Sequence, residues 1–436
     1  MELIETEKMQ RRERVLLVGV QFHQTKAWEV EDHLEELHLL AESAKADVVD
    51  KMIVRRDIAT PAYYIGRGKV EEIREITLLR DIDTVIFDDD LTAAQQRNLE
   101  KIIEKKVIYR TELILDIFAQ RAKTKEARIQ IELAQIKYLL TRLTRMWTHL
   151  SKQYGGIGTK GPGETQLETD KRVLKKRMQM LTKEIKEIRK SRATQRKARK
   201  RRNLRTAVLV GYTNAGKSTL LNALSDAGVE VSCKLFSTLD PTTRKIMLSG
   251  KRELLVSDTV GFIRKLPHNL VESFMATFEE IVEADILIHV LDISDPLFDE
   301  RADSVYNVLE EIGFHDKPII TVLNKVDLIP DKLVIERYRK SHPNCVAISA
   351  KQGQGLDLLI AMIETVFSYG ESVYTLSIPQ KDAHAISTAY EAGNVLKKAF
   401  FDNRILMEVE MNSETAAKLG RYIHTLNREE KKLLFG

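Results

Sequence analysis

Apolar residues recur along this chain with two periods, and the change of period divides it. Over residues 14–20 they run almost unbroken, as in a strand buried on both faces. Val30, Leu34, Leu37 and Ala41 then recur at helical spacing within residues 29–44. Strand patterns return at 47–54, 84–87 and 107–109, with helical ones at 69–79 and 93–104. Residues 1–110 therefore predict a small α/β layer with a mainly parallel sheet. From 111 to 202 the period lengthens. Ile129, Leu133, Ile136, Leu140, Leu143, Trp147 and Leu150 alternate steps of four and three, which is a heptad seam. Leu167, Leu174, Met178, Leu181, Ile185 and Ile188 form a second seam, and the glycine-rich residues 154–163 between them cannot continue a helix. This predicts an antiparallel helical hairpin with a flexible tip.

Residues 203–370 return to alternation, with strands at 206–210, 253–256, 286–291, 319–323 and 346–348. That is a doubly wound sheet, whose ligand loops sit at the strand carboxyl ends. Residues 371–436 predict a smaller α/β or α+β module, with strands near Val373, Leu376 and Ile378 and at 405–411, and helices at 383–400 and 413–423.

The chemistry is carried by the loops of the third segment. Gly211-Tyr212-Thr213-Asn214-Ala215-Gly216-Lys217-Ser218 fits G-x-x-x-x-G-K-[ST], with a strand before it and a helix start after it. The glycines let successive N–H groups turn toward phosphate oxygens, Lys217 reaches the β- and γ-phosphates, and Ser218 offers its hydroxyl to Mg²⁺. Asp258-Thr259-Val260-Gly261 follows the next core strand, so that Asp258 holds the metal through water and the Gly261 N–H faces the γ-phosphate. Asn324-Lys325-Val326-Asp327 and Ser349-Ala350-Lys351 end two later strands. The Asp327 carboxylate can accept from guanine N1–H and N2–H₂, and adenine has neither donor there, so an adenine nucleotide leaves a buried carboxylate unpaired at a cost of about 1–3 kcal/mol. The Ala350 N–H is expected at guanine O6. Together the four loops predict GTP.

Phe236-Ser237-Thr238-Leu239-Asp240, followed by Pro241, Thr242 and Thr243, lies where a GTPase places a switch threonine. Thr238 is the chosen second metal ligand, with Thr242 and Thr243 in reserve. Lys217, Thr238 and Gly261 make up the expected catalytic set. Phe262 stands where Ras-like enzymes carry a water-orienting glutamine, so hydrolysis should be slow until a partner, here taken to be the ribosome, supplies or rearranges a group.

Composition narrows the partner. The chain is 43% hydrophobic and 31% charged, no apolar run approaches a membrane span, and Met1–Arg14 lacks a signal core. Two cysteines, Cys233 and Cys345, suit a reducing cytoplasm. The net charge of +5 conceals an asymmetry. Residues 171–202 hold sixteen Lys and Arg against Glu184 and Glu187, a local +14 that leaves −9 for the rest. A run without acids at its end favours RNA contact through Arg196, Lys197, Arg199, Lys200, Arg201 and Arg202 over a merely solvated face. The tip glycines Gly156, Gly158, Gly161 and Gly163, with Lys160, suit close approach to a nucleic-acid backbone. Gly156–Gly161 also spells G-x-G-x-x-G, but it follows a helix, so it is not a dinucleotide fingerprint. Asp88-Asp89-Asp90 is expected to cap a helix rather than hold a metal, and Tyr64-Ile65-Gly66-Arg67-Gly68-Lys69 to be a strand-to-helix connection rather than a phosphate nest.

The motifs resemble those of the HflX family, in the larger group of Obg- and Era-like translational GTPases. The carriers are residues 64–71, 161–168, 211–218, 236–241 and 258–262. The resemblance implies an N-terminal α/β domain with a helical hairpin, a GTP-binding domain and a C-terminal domain. It implies Mg²⁺ on Ser218 and Thr238, binding to the large ribosomal subunit and its rRNA, and splitting or rescue of stalled ribosomes under stress. Some members use ATP through the N-terminal region, but residues 1–110 show no convincing second phosphate loop. The expected protein is cytoplasmic and monomeric when free, without a membrane span and with at most a weak membrane association. The other readings are a ribosome-assembly GTPase, a GTPase coupled to RNA modification, and an RNA-binding protein that uses GTP only as a ligand.

Overall fold

The computed structural model describes residues 11–146, 162–201, 204–225, 236, 242–248, 253–265, 280–314, 317–368 and 371–435. It divides into two units: residues 1–186 with 232–240 and 265–275, and residues 187–231 with 241–264 and 276–436.

In the first unit the strands β1 (Arg14–Gln21), β2 (Asp47–Arg55), β3 (Thr84–Phe87) and β4 (Lys106–Tyr109) form a wholly parallel sheet in the order β2-β1-β3-β4. The helices α1 (Ala27–Ser43), α2 (Arg67–Leu79) and α3 (Ala93–Ile103) link them. Leu16, Val18, Val85, Phe87 and Val107 are buried beneath Val70, Ile73 and Leu99. This agrees with the alternation read from sequence. The capping expectation for Asp88-Asp89-Asp90 does not hold. Thr92 caps α3, in a capping box with Gln95, and Asp88 is buried at the end of β3 against cations.

A helix not read from sequence, α4 (Arg110–Arg121), continues directly from β4, and α5 (Lys125–Met146) and α6 (Pro162–Arg201) follow. Arg177 forks onto Glu132 at 2.6 and 2.8 Å, and Lys125 lies 3.4 Å from Glu184. Moving forward along one helix moves backward along the other, so α5 and α6 are antiparallel. Ile129, Leu133, Ile136, Leu181 and Ile185 are buried in the seam. The expected loop is shorter at its far end. Pro162 and Gly163 open α6, because proline lacks the N–H that the first helical turn leaves unused.

In the second unit β5 (Arg205–Val210), β6 (Thr242–Met247), β7 (Glu253–Asp258), β8 (Ile286–Asp292), β9 (Ile319–Asn324) and β10 (Cys345–Ala347) form one sheet in the order β10-β9-β8-β5-β7-β6, with β6 alone antiparallel. Ala207, Leu209, Ile286, Ile288 and Val322 pack on one face against Leu220, Leu359 and Ile363, while Leu291, Leu323 and Cys345 pack with Ala302 on the other. Leu220 lies on α7 (Lys217–Ser225). A three-stranded antiparallel sheet follows, of β11 (Glu371–Pro379), β12 (Asn394–Phe401) and β13 (Arg404–Asn412), in the order β11-β13-β12. The helix expected at 383–400 is a correction. It stops at Ala392, and β12 starts at Asn394 and turns back through Asp402 (φ +50°) to pair with β13. The helix expected at 413–423 is shorter, ending at Lys418 before a 3₁₀ turn, Gly420–Tyr422. Among the described residues no helix is long and apolar enough to cross a membrane.

Candidate functional site

β5 ends in a turn that tolerates no side chain at two positions. A Cβ on Gly211 (φ +150°) would lie 2.3 Å from the Val290 carbonyl oxygen, and one on Gly216 (φ +95°) would lie 2.2 Å from Asn324 Nδ2. Asn214, between them, is also left-handed (φ +64°). Such a turn directs consecutive N–H groups into one concavity, beside the start of α7. Lys217 is buried, and its Nζ donates to the carbonyls of Gly211 (3.0 Å) and Tyr212 (2.8 Å). Burial pulls its ammonium down to about 8, against a smaller opposing pull from Asp258. The charge is thus placed where phosphate oxygens would stabilise it.

The Ser218 hydroxyl donates to Asp258 Oδ2 at 2.6 Å. A hydroxyl and a carboxylate side by side are hard oxygen donors, and their chemistry fits Mg²⁺ held directly by Ser218 and through water by Asp258. Thr259 anchors the next turn by donating to the Leu209 carbonyl at 2.8 Å, and Val260 is half-buried. Gly261 sits against the loop: a Cβ there would be 2.8 Å from both Lys217 Nζ and Thr213 Cα. Phe262 is buried, and its backbone is joined to the loop on both sides. Its N–H donates to Gly211 O (3.1 Å), and its carbonyl accepts from the Thr213 N–H (2.8 Å).

On the base side, buried Asn324 braces two loops. Its Nδ2 donates to Ala215 O at 2.8 Å, and its Oδ1 accepts from the Ala350 N–H at 3.0 Å. The N–H expected at guanine O6 thus already has an intramolecular acceptor, and reading O6 requires the two to share it. Lys325 (φ +64°) is ion-paired with Asp292 at the end of β8. The Val326 N–H donates to Ile348 O. Asp327 is half-buried and makes no hydrogen bond or ion pair among the described residues. Ser349 is buried and accepts from the Gln352 N–H, while Lys351 is exposed.

The structure thus gathers residues 211–218, 258–262, 324–327 and 349–351 at one edge of one sheet. It places Phe236 in the first unit, with its ring 4.6 Å from that of Phe118. Ser237, Thr238, Leu239 and Asp240 lie outside the described residues. So do Gly156, Gly158, Lys160, Gly161 and Arg202. Gly163, Arg196, Lys197, Arg199, Lys200 and Arg201 lie on the α6 backbone. Sequence reading missed Asp292, whose only signal is an acid at a strand end, and His289 on β8. Among the described residues neither buried His289 ring nitrogen has a hydrogen-bond partner, and its ring stands edge-on to Tyr306 at 5.0 Å. Burial, with the Lys217 charge second, pushes that imidazole down to about 3.

Comparison with known proteins gives matches along most of the chain. Family models described as GTP-binding GTPase N-terminal, GTP-binding GTPase middle region, 50S ribosome-binding GTPase and HflX C-terminal domain match residues 31–119, 121–199, 206–325 and 334–433. A GTPase HflX of Lacrimispora saccharolytica is 43% identical over 96% of this chain and 97% of its own. That of Escherichia coli is 42% identical over 92% and 93%. The crystal structure of an SsGBP and GDP complex covers 82% of this chain and 99% of its own at 28% identity, with a TM-score of 0.47.

Proposed function

Because this chain belongs to the HflX family of GTPases, we propose that its GTP cycle is a switch that works on the large ribosomal subunit and, in the GTP state, splits or rescues stalled ribosomes under stress. The chain binds GTP and hydrolyses it. The observation that carries the reading is the Asn324 brace, which ties the phosphate loop to the base-reading loop beside a Lys217 whose charge is buried and available. In this reading Gly211–Ser218 cradles the phosphates, Lys217 neutralises the β- and γ-oxygens, and Asp327 selects guanine. Ser218 and Asp258, with Thr238, would hold Mg²⁺, which when bound offsets charge developing on the phosphate oxygens. The Gly261 N–H faces the γ-phosphate.

Phe262 has no group to orient water, so the free protein turns over slowly and the ribosome supplies the acceleration. The basic end of α6 and the glycine-rich tip make the RNA contact, and the protein acts in the cytoplasm as a monomer. The match to a 50S ribosome-binding GTPase model supports the choice of subunit. The test is sedimentation of 50S and 70S particles with the protein and a non-hydrolysable GTP analogue, alongside turnover with and without 50S. Co-sedimentation with 50S, loss of 70S and faster turnover are expected. Equal turnover with and without subunits would sink the reading. Reversing the charges of residues 196–202 should weaken binding and flatten its salt dependence, because fewer counterions are released.

A further inference from the structure

The phosphate cradle needs glycines, a lysine and a serine, but it does not need an aromatic residue at its second position. Tyr212 nevertheless stands there with its side chain buried. Its hydroxyl accepts the backbone N–H of Arg264 at 2.9 Å, 52 residues further along the chain. Its backbone lies in a parallel bridge with Phe262, and its ring lies 4.9 Å beneath the Arg301 guanidinium. Arg301 is itself ion-paired with Asp295. The segment Gly261–Arg264 is therefore fastened to the loop at both ends. The two Phe262 backbone bonds hold one end, and the tyrosine hydroxyl holds the other.

We propose that Tyr212 is a positioning residue for GTP hydrolysis, which fixes the register of Gly261–Arg264 over the phosphate loop through its hydroxyl. The proposal rests on the reading of this loop as the GTP site. Gly261 packs so closely on Lys217 and Thr213 that a single added carbon would clash. A slip of about 1 Å there would misplace the N–H meant for the γ-phosphate, and slips of that size cost rate steeply. A chain with glutamine in place of Phe262 could recover some order through the attacking water. This chain holds the segment by its backbone, and the tyrosine adds its hydrogen bond to the two that Phe262 makes. GDP has no γ-phosphate and does not use the segment. The tyrosine should thus act on the step that requires Gly261 in place, and not on nucleotide affinity in general.

The experiment uses the full chain and the variant Tyr212→Phe, which keeps the ring and removes only the hydroxyl. Single-turnover GTP hydrolysis, KM for GTP and the affinity for a fluorescent GDP are measured for both proteins. A loss of one hydrogen bond from the positioned state predicts kcat lower by about two- to tenfold, with KM and GDP affinity within about twofold of wild type. An unchanged kcat overturns the proposal. A fall in kcat matched by an equal fall in GDP affinity also overturns it, since the tyrosine would then be holding the loop itself. If the wild-type chain binds no fluorescent GDP, the nucleotide-site reading fails, and that outcome is distinguishable from both.

Discussion

Two sheets in this molecule, one wholly and one mainly parallel, each bury a cation at the carboxyl ends of their strands, and they neutralise it in opposite ways. In the first unit Arg110, 1% exposed, donates to Asp88 at 2.6 Å and is paired with Glu36. Lys265 joins the cluster, 2.6 Å from Asp88 and 2.7 Å from Asp89. Two cations thus meet three carboxylates. Burial pushes the Asp88 carboxyl up, but Arg110 and Lys265 outweigh it and hold the group below its ordinary value. In the second unit Lys217 donates to two backbone carbonyls and, among the described residues, pairs with no carboxylate. Asp258, whose charge acts on it, accepts from Ser218. The difference teaches why a shared architecture does not give a shared activity. A polyphosphate entering the second site meets an uncompensated charge. One entering the first meets carboxylates that already have partners. The glycine turn at residues 64–69 follows the same rule: Arg67 is paired with Glu71 and Lys69 with Glu72, both on α2 itself.

Twin substitutions test the contrast most severely. Lys217→Met removes charge-assisted contacts to the β- and γ-phosphates, each worth about 1.5–3 kcal/mol, so GTP affinity should fall by about a hundredfold or more and GDP affinity, which loses only the β contact, by about ten- to a hundredfold. Its folding stability at neutral pH should hold or rise, because a buried charge is gone. Arg110→Met should do the reverse. It leaves Glu36 and Asp88 buried without their main partner, at a cost of about 3–5 kcal/mol, and GDP affinity stays as it was. Urea midpoints and a fluorescent-GDP titration read both. If Arg110→Met weakened GDP tenfold while still folded, the first cluster would not be purely structural and the comparison would break.

The pH dependence is a smaller effect. Lys217 has a folded value of about 8 against an ordinary 10.5. Between those limits the unfolded chain binds more protons, so this group's contribution to the stability of the nucleotide-free protein rises with pH across the window. The full cost, about 3 kcal/mol, is present below pH 8. Bound phosphates return the ammonium toward its ordinary value. Nucleotide binding above pH 8 then takes up a proton, and affinity falls by up to about tenfold per pH unit. Calorimetry at pH 9 in two buffers of different ionisation enthalpy would reveal that uptake, and an identical heat in both would refute it. Asp88 gives the first unit a dependence of the same sign in an acid window instead: its contribution is present above the ordinary carboxylate value of 3.8 and is lost as pH falls through its lower folded value. His289 adds an acid limb to the second unit, lost from 6.5 toward about 3, so the alkaline limb is what separates the two.

The candidate nucleotide loops were legible in the sequence because each is fixed by spacing to the end of an apolar strand. Gly211–Ser218 follows β5, Asp258 ends β7 and Asn324 ends β9. What could not be read depends on partners distant in sequence. β12 carries Val395, Ala399 and two lysines at spacing that also suits a helix, and only pairing with β13 decides it. α4 starts at the residue after β4, with no turn to announce it. The Tyr212–Arg264 bond, the Lys325–Asp292 pair and the Arg110 cluster join residues 52, 33 and as many as 177 positions apart, and no local pattern encodes them.

The smallest test separates the two glycine turns. Gly216 cannot accept a side chain, since its backbone is left-handed and Asn324 stands in the way. Gly216→Ala should therefore disrupt the loop and the Asn324 brace with it. Gly68 lies in the first turn of α2, is exposed, and has nothing within 4 Å of where a Cβ would be. If this turn is only a strand-to-helix connection, Gly68→Ala costs nothing in the folded state and removes freedom from the unfolded one. It should raise stability by up to about 1 kcal/mol, a shift of a few degrees or less in a thermal melt. A phosphate nest would need the bare backbone at that position. A Gly68→Ala chain that melts lower than wild type would show that the turn uses its glycine for something beyond starting a helix, and the contrast between the two sheets would have to be redrawn.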